Sequence, residues 1–278
     1  MNRIDARFAE LATSGRKGLI PYITAGHPSP ESTVAVMHAL VENGADLVEL
    51  GVPFSDVMAD GPVIQEACRK ALEQGTMLDD VFRMVKTFRE RDEATPVILM
   101  GYMNPVERRG LERFAEQARA AGVDGLLIVD CPIDEAAEIH HLLSGRGLHQ
   151  IFLVAPTSTE TRLARLTPLA GGFVYYVSLK GVTGSAALDA DSLAPSLERL
   201  RRHTDKPVAV GFGIATPDQA AAVARHADAV VIGSALVQRL DGAADADQAA
   251  RVAAEYLAPV RRALDGIPAA SQSVEAAS

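Results

Sequence analysis

The sequence predicts an α/β fold: a single-domain (β/α)8 TIM barrel with an extra N-terminal helix, over residues 1–265. Three observations predict it. Eight short apolar strands alternate with helical stretches. The strands read as continuous apolar runs, the pattern of strands buried on both faces of a parallel sheet. Each ends in Gly, Pro, Asp or Asn, so the chain turns at a defined place. Eight such units in a chain of 278 residues is the count for a closed barrel. An open doubly wound sheet is the alternative. It would normally carry a Gly-rich dinucleotide fingerprint after the first strand, and Ala25-Gly26-His27-Pro28 is not one.

The elements follow in order. Residues 2–14 read as a short amphipathic helix, with Ile4, Phe8 and Leu11 on one stripe. The first strand runs from Leu19 to Thr24, and a helix follows from about Pro30 to Glu42. The second strand begins at Leu47 after the helix-stop signal Asn43-Gly44-Ala45-Asp46. Two helical stretches, 62–74 and 78–91, lead to the third strand, Val97 to Met100, which Thr95-Pro96 introduces. A helix then runs to Ala121. Leu126 to Val129 is the fourth strand, and a helix spans Asp134 to Leu143. Ile151 to Val154 is the fifth, followed by a helix from about Glu160 to Leu169 and the sixth strand, Phe173 to Ser178. Val208 to Val210 and Ala229 to Ile232 complete the set, and Ser234 opens the last helix. Residues 266–278, rich in Ala, Ser and Glu, read as a frayed tail. A faint echo recurs before strands: Asn43-Gly44-Ala45-Asp46, Ala121-Gly122-Val123-Asp124 and His226-Ala227-Asp228.

Composition excludes several classes. A 48% hydrophobic and 23% charged chain is that of a globular protein. The net charge of −9 and the lack of basic runs argue against nucleic acid as a partner. No apolar run approaches a membrane span, and Met1-Asn2-Arg3-Ile4-Asp5 lacks the apolar core of a signal peptide. Cys68 and Cys131 have no metal-ligand spacing, which points to a reducing, cytoplasmic location. The adjacent His140 and His141 point apart on a helix, so no metal site is expected there.

The chemistry gathers on the stretch 47–62, LVELGVPFSDVMADGP. Alternation puts Val48 and Leu50 on one strand face and Leu47, Glu49 and Gly51 on the other. Glu49 thus occupies a position where an apolar residue would normally pack, and a carboxylate there is costly to ionise. The loop after it carries Asp56 and Asp60 before Pro62 opens a helix. An inward acid at a strand end with a second on the following loop suits general acid–base work. A structural reading stands beside it: Glu49 satisfied by backbone N–H groups, Asp56 a surface acid, and Asp60 a helix cap.

Loops after barrel strands share one face. The last three are glycine-rich: Gly181-Val182-Thr183-Gly184, Gly211-Phe212-Gly213 and Gly233-Ser234. Glycine lets backbone N–H groups approach an anion closely, and three such loops in succession point to a phosphorylated ligand. Phe212, Tyr175 and Tyr102 either wall an apolar pocket or belong to the core.

With these motifs the chain resembles the tryptophan synthase alpha subunit family, from about Arg3 to Ala263. LVELGVPFSDVMADGP is the most specific match; YYVSLKGVTG (175–184), GFGI (211–214) and IGSA (232–235) support it in combination. The resemblance implies retro-aldol cleavage of indole-3-glycerol phosphate to indole and glyceraldehyde 3-phosphate in tryptophan biosynthesis. It implies Glu49 and Asp60 as catalytic acids with Tyr175 beside them. It implies phosphate contacts at Gly184, Gly213, Gly233 and Ser234, and an indole pocket of Tyr22, Leu99, Met100, Leu127 and Phe212. No cofactor or metal is implied for this chain. Pyridoxal phosphate is expected only in a tryptophan synthase beta subunit, the implied partner in an alpha-beta-beta-alpha complex. One departure stands out: Val57 replaces the family's usual proline, which bears on loop stiffness and on the interface.

Three rivals belong to other classes. One is a phosphate-binding barrel aldolase or isomerase of another pathway, in its sharpest form a Schiff-base aldolase using Lys180. Another binds a flavin or similar phosphate-bearing cofactor at the same loops. The third is a non-catalytic scaffolding subunit.

Overall fold

In the computed structural model, residues 1–177, 193–211 and 213–268 are described. Eight parallel strands close in sequence order: β1 (Gly18–Thr24), β2 (Val48–Gly51), β3 (Val97–Gly101), β4 (Gly125–Ile128), β5 (His149–Val154), β6 (Val174–Val177), β7 (Val208–Gly211) and β8 (Ala229–Ile232). β1 pairs with both β2 and β8, which completes the ring. The helices are α1 (Arg3–Ser14), α2 (Ser32–Glu42), α3 (Pro62–Glu73), α4 (Leu78–Arg89), α5 (Met103–Arg109), α6 (Leu111–Ala121), α7 (Ala136–Ser144), α8 (Glu160–Leu166), α9 (Ala194–Arg201), α10 (Pro217–Ala224), α11 (Ser234–Leu240) and α12 (Ala246–Asp265). No helix among the described residues is long and apolar enough to cross a membrane.

Strand alternation sorts the apolar residues into two cores. Ile20, Leu47, Ile98, Leu127, Ile151 and Phe173 point inward and fill the barrel. Leu19, Val48, Leu50, Val97 and Leu99 point outward and pack under the helices. The N-terminal helix belongs to the inner core. Ile4, Phe8 and Leu11 of α1 join the inward cluster, with the Phe8 ring 5.3 Å from that of Phe173, so α1 plugs the barrel's N-terminal end. Asn2 caps the helix by accepting from the Ile4 N–H, and Gly15 ends it at φ 65°.

The structure corrects the sequence reading in three places. The helix expected to run unbroken to Ala121 is two helices, because Gly110 between them takes φ +83°. The stretch to Leu169 changes from α-helix to a 3-10 turn at Thr167–Leu169, where Pro168 has no N–H for the α ladder. Ser234 opens α11, but α12 follows it, so α11 is not the last helix. Most of the expected tail, 269–278, lies outside the described residues.

The sequence echo proves to be a physical device. The carboxylates of Asp46, Asp124 and Asp228 accept the backbone N–H of Leu19, Val97 and Val208 at 2.9, 2.9 and 2.8 Å. The backbone N–H of each aspartate donates to the carbonyl of the same residue, at 2.9 Å in all three cases. Each aspartate thus bolts the start of its own strand to the neighbouring strand's start. An arginine neutralises each one: Arg261 on Asp46, Arg89 and Arg3 on Asp124, and Arg201 on Asp228. These clamps sit at the end of the barrel away from the acid loop.

Asp124 is 2% exposed. Asp124→Ala would take the charge partner from Arg89, which keeps its bonds to the Gly122, Asp92 and Thr95 carbonyls, and would leave the buried Val97 N–H without its acceptor, so a loss of about 2–4 kcal/mol is expected. Urea unfolding measures it; a loss below about 1 kcal/mol would show that the clamp does not hold the strands.

Candidate active site

β2 delivers Glu49 to the C-terminal mouth, in register with Tyr22 on β1 and Ile98 on β3. Its side chain points inward, as alternation requires, and is 2% exposed. Its Oε2 has no hydrogen-bond partner among the described residues. Backbone satisfaction of both oxygens, the structural alternative, is therefore not what the fold provides. Burial, and after it the charge of Asp60, pushes the Glu49 carboxyl up to about 8.

The loop after β2 returns Asp60 to the same cleft. The N-cap of α3 is Gly61, with no side-chain capping bond, so the Asp60 carboxylate is not spent on the helix end. Tyr102 donates its hydroxyl to Asp60 Oδ2 at 2.8 Å and accepts the Ala59 N–H at 3.1 Å. Its ring packs on Phe54 at 5.7 Å. Burial raises the Asp60 carboxyl above its ordinary range, and the Tyr102 hydrogen bond pulls it back. Tyr102 is therefore the brace of Asp60 rather than a plain pocket wall. Asp56 stays outside, exposed and bonded to the Ser55 hydroxyl at 2.8 Å. Val57 is 7% exposed and packs in a cluster with Tyr22, Ile64 and Tyr102.

Two tyrosines frame the mouth, and two glycines make room for them. A Cβ on Gly51 would stand 2.1 Å from the Tyr22 hydroxyl, and one on Gly211 would stand 2.2 Å from that of Tyr175. Gly211 thus owes its place to Tyr175 rather than to an anion. The Tyr22 hydroxyl pairs with the Thr24 hydroxyl at 3.2 Å. Burial first, then the Glu49 and Asp60 charges, hold the Tyr175 hydroxyl protonated far above its ordinary range.

The cleft itself holds about 330 Å³. Met100, Ile64 and Val231 give it apolar walls, while Gly213, Gly233 and Ser234 line it from the ends of β7 and β8, with β1 between β8 and β2. Gly213 takes φ +75°, a conformation that favours glycine. Glu49, Asp60, Tyr175, Gly213, Gly233, Ser234, Tyr22 and Met100 are brought together as the sequence predicts. Leu99 is not among them: one residue from Met100, it faces the opposite side of β3 and packs under the helices. Leu127 pairs with Met100 across β3 and β4 but is buried in the barrel interior rather than on the cleft wall. Gly184 and Phe212, with Lys180, lie outside the described residues. Ile64, Ile214, Val231 and Gln238 line the cleft without having been foreseen. Inward alternation on β8 could have found Val231. Ile64 and Gln238 depend on how α3 and α11 dock, for which a local pattern carries no signal. Among the described residues no group of three or more His, Cys, Asp or Glu side chains could hold a metal ion.

The chain matches the family model described as tryptophan synthase alpha chain over residues 8–264. It is 57% identical over 266 residues to the tryptophan synthase alpha chain of Thioalkalivibrio sulfidiphilus, covering 95% of this chain and 100% of that one. It is 56% identical over 268 residues to that of Alkalilimnicola ehrlichii, covering 96% and 98%. Among solved structures, tryptophan synthase subunit alpha from Legionella pneumophila superposes with a TM-score of 0.90 at 44% identity, over 96% of this chain and 100% of that one.

The raised Glu49 carboxyl has a consequence for stability. The folded state keeps a proton that the unfolded chain gives up near 4.5, so this stabilising contribution is complete below pH 4.5 and is lost as pH rises to about 8. Glu49→Gln carries no such proton. Its stability relative to wild type should climb steadily between pH 4.5 and 8, as read by urea midpoints at several pH values. A pH-independent difference would place the carboxyl's titration near its ordinary value.

Proposed function

The chain belongs to the tryptophan synthase alpha chain family, and we propose that its barrel-mouth cleft cleaves indole-3-glycerol phosphate to indole and glyceraldehyde 3-phosphate, with Glu49 and Asp60 as the reacting acids. The observation that carries this assignment is a buried, unpartnered carboxyl beside a second, braced one in a single cleft. The bond to be broken joins ring carbon 3 of indole to the hydroxyl-bearing carbon of the glycerol chain. Protonating ring carbon 3 makes the ring nitrogen cationic. Removing the side-chain hydroxyl proton then lets the aldehyde form, and the electrons of the broken bond return to the ring. One proton enters and one leaves.

Glu49 suits both transfers. Held near 8, it carries a proton to give at neutral pH and, once ionised, accepts one readily. Asp60 suits the third task. As a carboxylate braced by Tyr102, it accepts the ring N–H and stabilises the cation by a charge already in place. Gly213, Gly233 and Ser234 offer backbone N–H groups and one hydroxyl to the phosphate in the same cleft. Tyr22 and Met100 supply flat and flexible apolar walls to the indole. Tyr175 keeps its hydroxyl proton beside Glu49, as a neutral donor. The acids act on the substrate directly, so no cofactor enters the scheme, and pyridoxal phosphate is assigned to the partner alone.

For that partner, a beta subunit in an alpha-beta-beta-alpha complex, the acid loop offers a docking face. Met58 is 87% exposed, a large apolar side chain out in solvent between the two acids. Phe54, whose ring packs on the Asp60 brace, lines grooves on both sides of this loop. A partner pressing there reaches Asp60 through Phe54 and Tyr102. The location is assigned to the cytoplasm, where the free thiols of Cys68 and Cys131 stay reduced.

Glu49→Gln is expected to lower indole formation about 100-fold or more while circular dichroism stays native. Activity within a few fold of wild type would remove Glu49 from the chemistry.

Docking has its own test. Met58→Asp places a charge on the proposed face, so indole release by the isolated chain should hold while activation by the beta subunit falls. Full activation of the variant would put the interface elsewhere.

A further inference from the structure

The cleft sets a charge problem. Its ligand is to carry a phosphate, yet the described residues that line it include two carboxyls, Glu49 and Asp60, and no lysine or arginine. The nearby cations are turned away. Arg239, on the helix that opens with Ser234, lies over the Tyr256 ring at 4.4 Å and donates to the Ala235 carbonyl at 2.8 Å. Lys70 on α3 is held by Asp241, at the far end of α11. Neither reaches the glycine-lined side.

One long polar side chain does line the cleft. Gln238 is exposed, lines the cleft and stands one helical turn after Ser234, so both project from the same face of α11. The opposite face, Leu236, Val237 and Leu240, is buried. A primary amide carries two N–H donors and no charge. From this geometry we infer that Gln238 is a further substrate-binding residue, its amide donating to the phosphate that the Gly213 and Gly233 loops hold. The inference rests on the phosphate reading of those loops and adds to it the side chain that sets the strength of binding. A neutral donor in place of a cation fits an enzyme that must release a phosphorylated three-carbon product at every turnover.

The test is inhibition of the full-length protein by glycerol 3-phosphate, by glycerol and by indole, in wild type, Gln238→Ala, Gln238→Glu and Gln238→Lys. Loss of one neutral hydrogen bond should weaken glycerol 3-phosphate about three- to tenfold in Gln238→Ala, and Gln238→Glu should weaken it further by repulsion. Gln238→Lys should tighten it at low salt, with the gain fading as salt rises. Indole inhibition should stay within twofold throughout, which a general loss of structure would not allow. If wild type prefers glycerol 3-phosphate to glycerol and all three variants match it, Gln238 is not a ligand and the loops alone hold the phosphate. If wild type shows no such preference, the phosphate reading and this inference fall together.

Discussion

The site depends on keeping one carboxyl out of water. Inside a closed barrel every second residue of a strand points into a packed interior, and on β2 that residue is Glu49. The cost of ionising it there holds the proton on the side chain at neutral pH. The other features of the mouth follow from that constraint. Asp60 shares the cleft, and there burial raises its carboxyl while the Tyr102 hydroxyl draws it part of the way back. Two carboxyls in one site divide their roles by environment. Tyr22 and Tyr175 line the same cleft, and Gly51 and Gly211 make room for their hydroxyls.

Stability and chemistry occupy opposite ends of the molecule. The aspartate clamps, their arginines and the α1 plug all sit at the N-terminal end. The acids, the glycine loops and the exposed Met58 sit at the C-terminal end. The aspartate clamps join strand starts rather than the loops that must admit a ligand, and they bolt three strand pairs, β1–β2, β3–β4 and β7–β8. The unpaired carboxyl of Glu49 at the mouth thus lies on a strand whose other end is bolted.

What was legible in the sequence follows the range of the interaction. Strand order, the inward direction of Glu49 and the convergence of strand-end residues depend on period-two alternation and on chain turns, which are local. The Asp46, Asp124 and Asp228 echo was visible as a repeat, but its meaning needed the neighbouring strand. Leu99 was misplaced by one residue, and in a strand one residue is the other face. Tyr102 as the brace of Asp60 was hidden for another reason. Forty-two residues separate the two, and the pairing of β2 with β3 sets the strand-end loops that carry them side by side. Gln238 was missed likewise, since it faces the cleft only because of how α11 packs.

The plug at the N-terminal end carries a consequence for traffic. With Phe8 packed at a tilt against Phe173 and the inner core filled beneath Glu49, the described residues close the barrel at its N-terminal end and leave it open at the mouth. Substrate, both products and any water that refreshes the Glu49 proton must pass the same rim, past Tyr22, Ile64 and Ser234. Whatever covers that rim governs admission, escape and protonation together, so a second chain seated on the acid loop would control all three with a single contact.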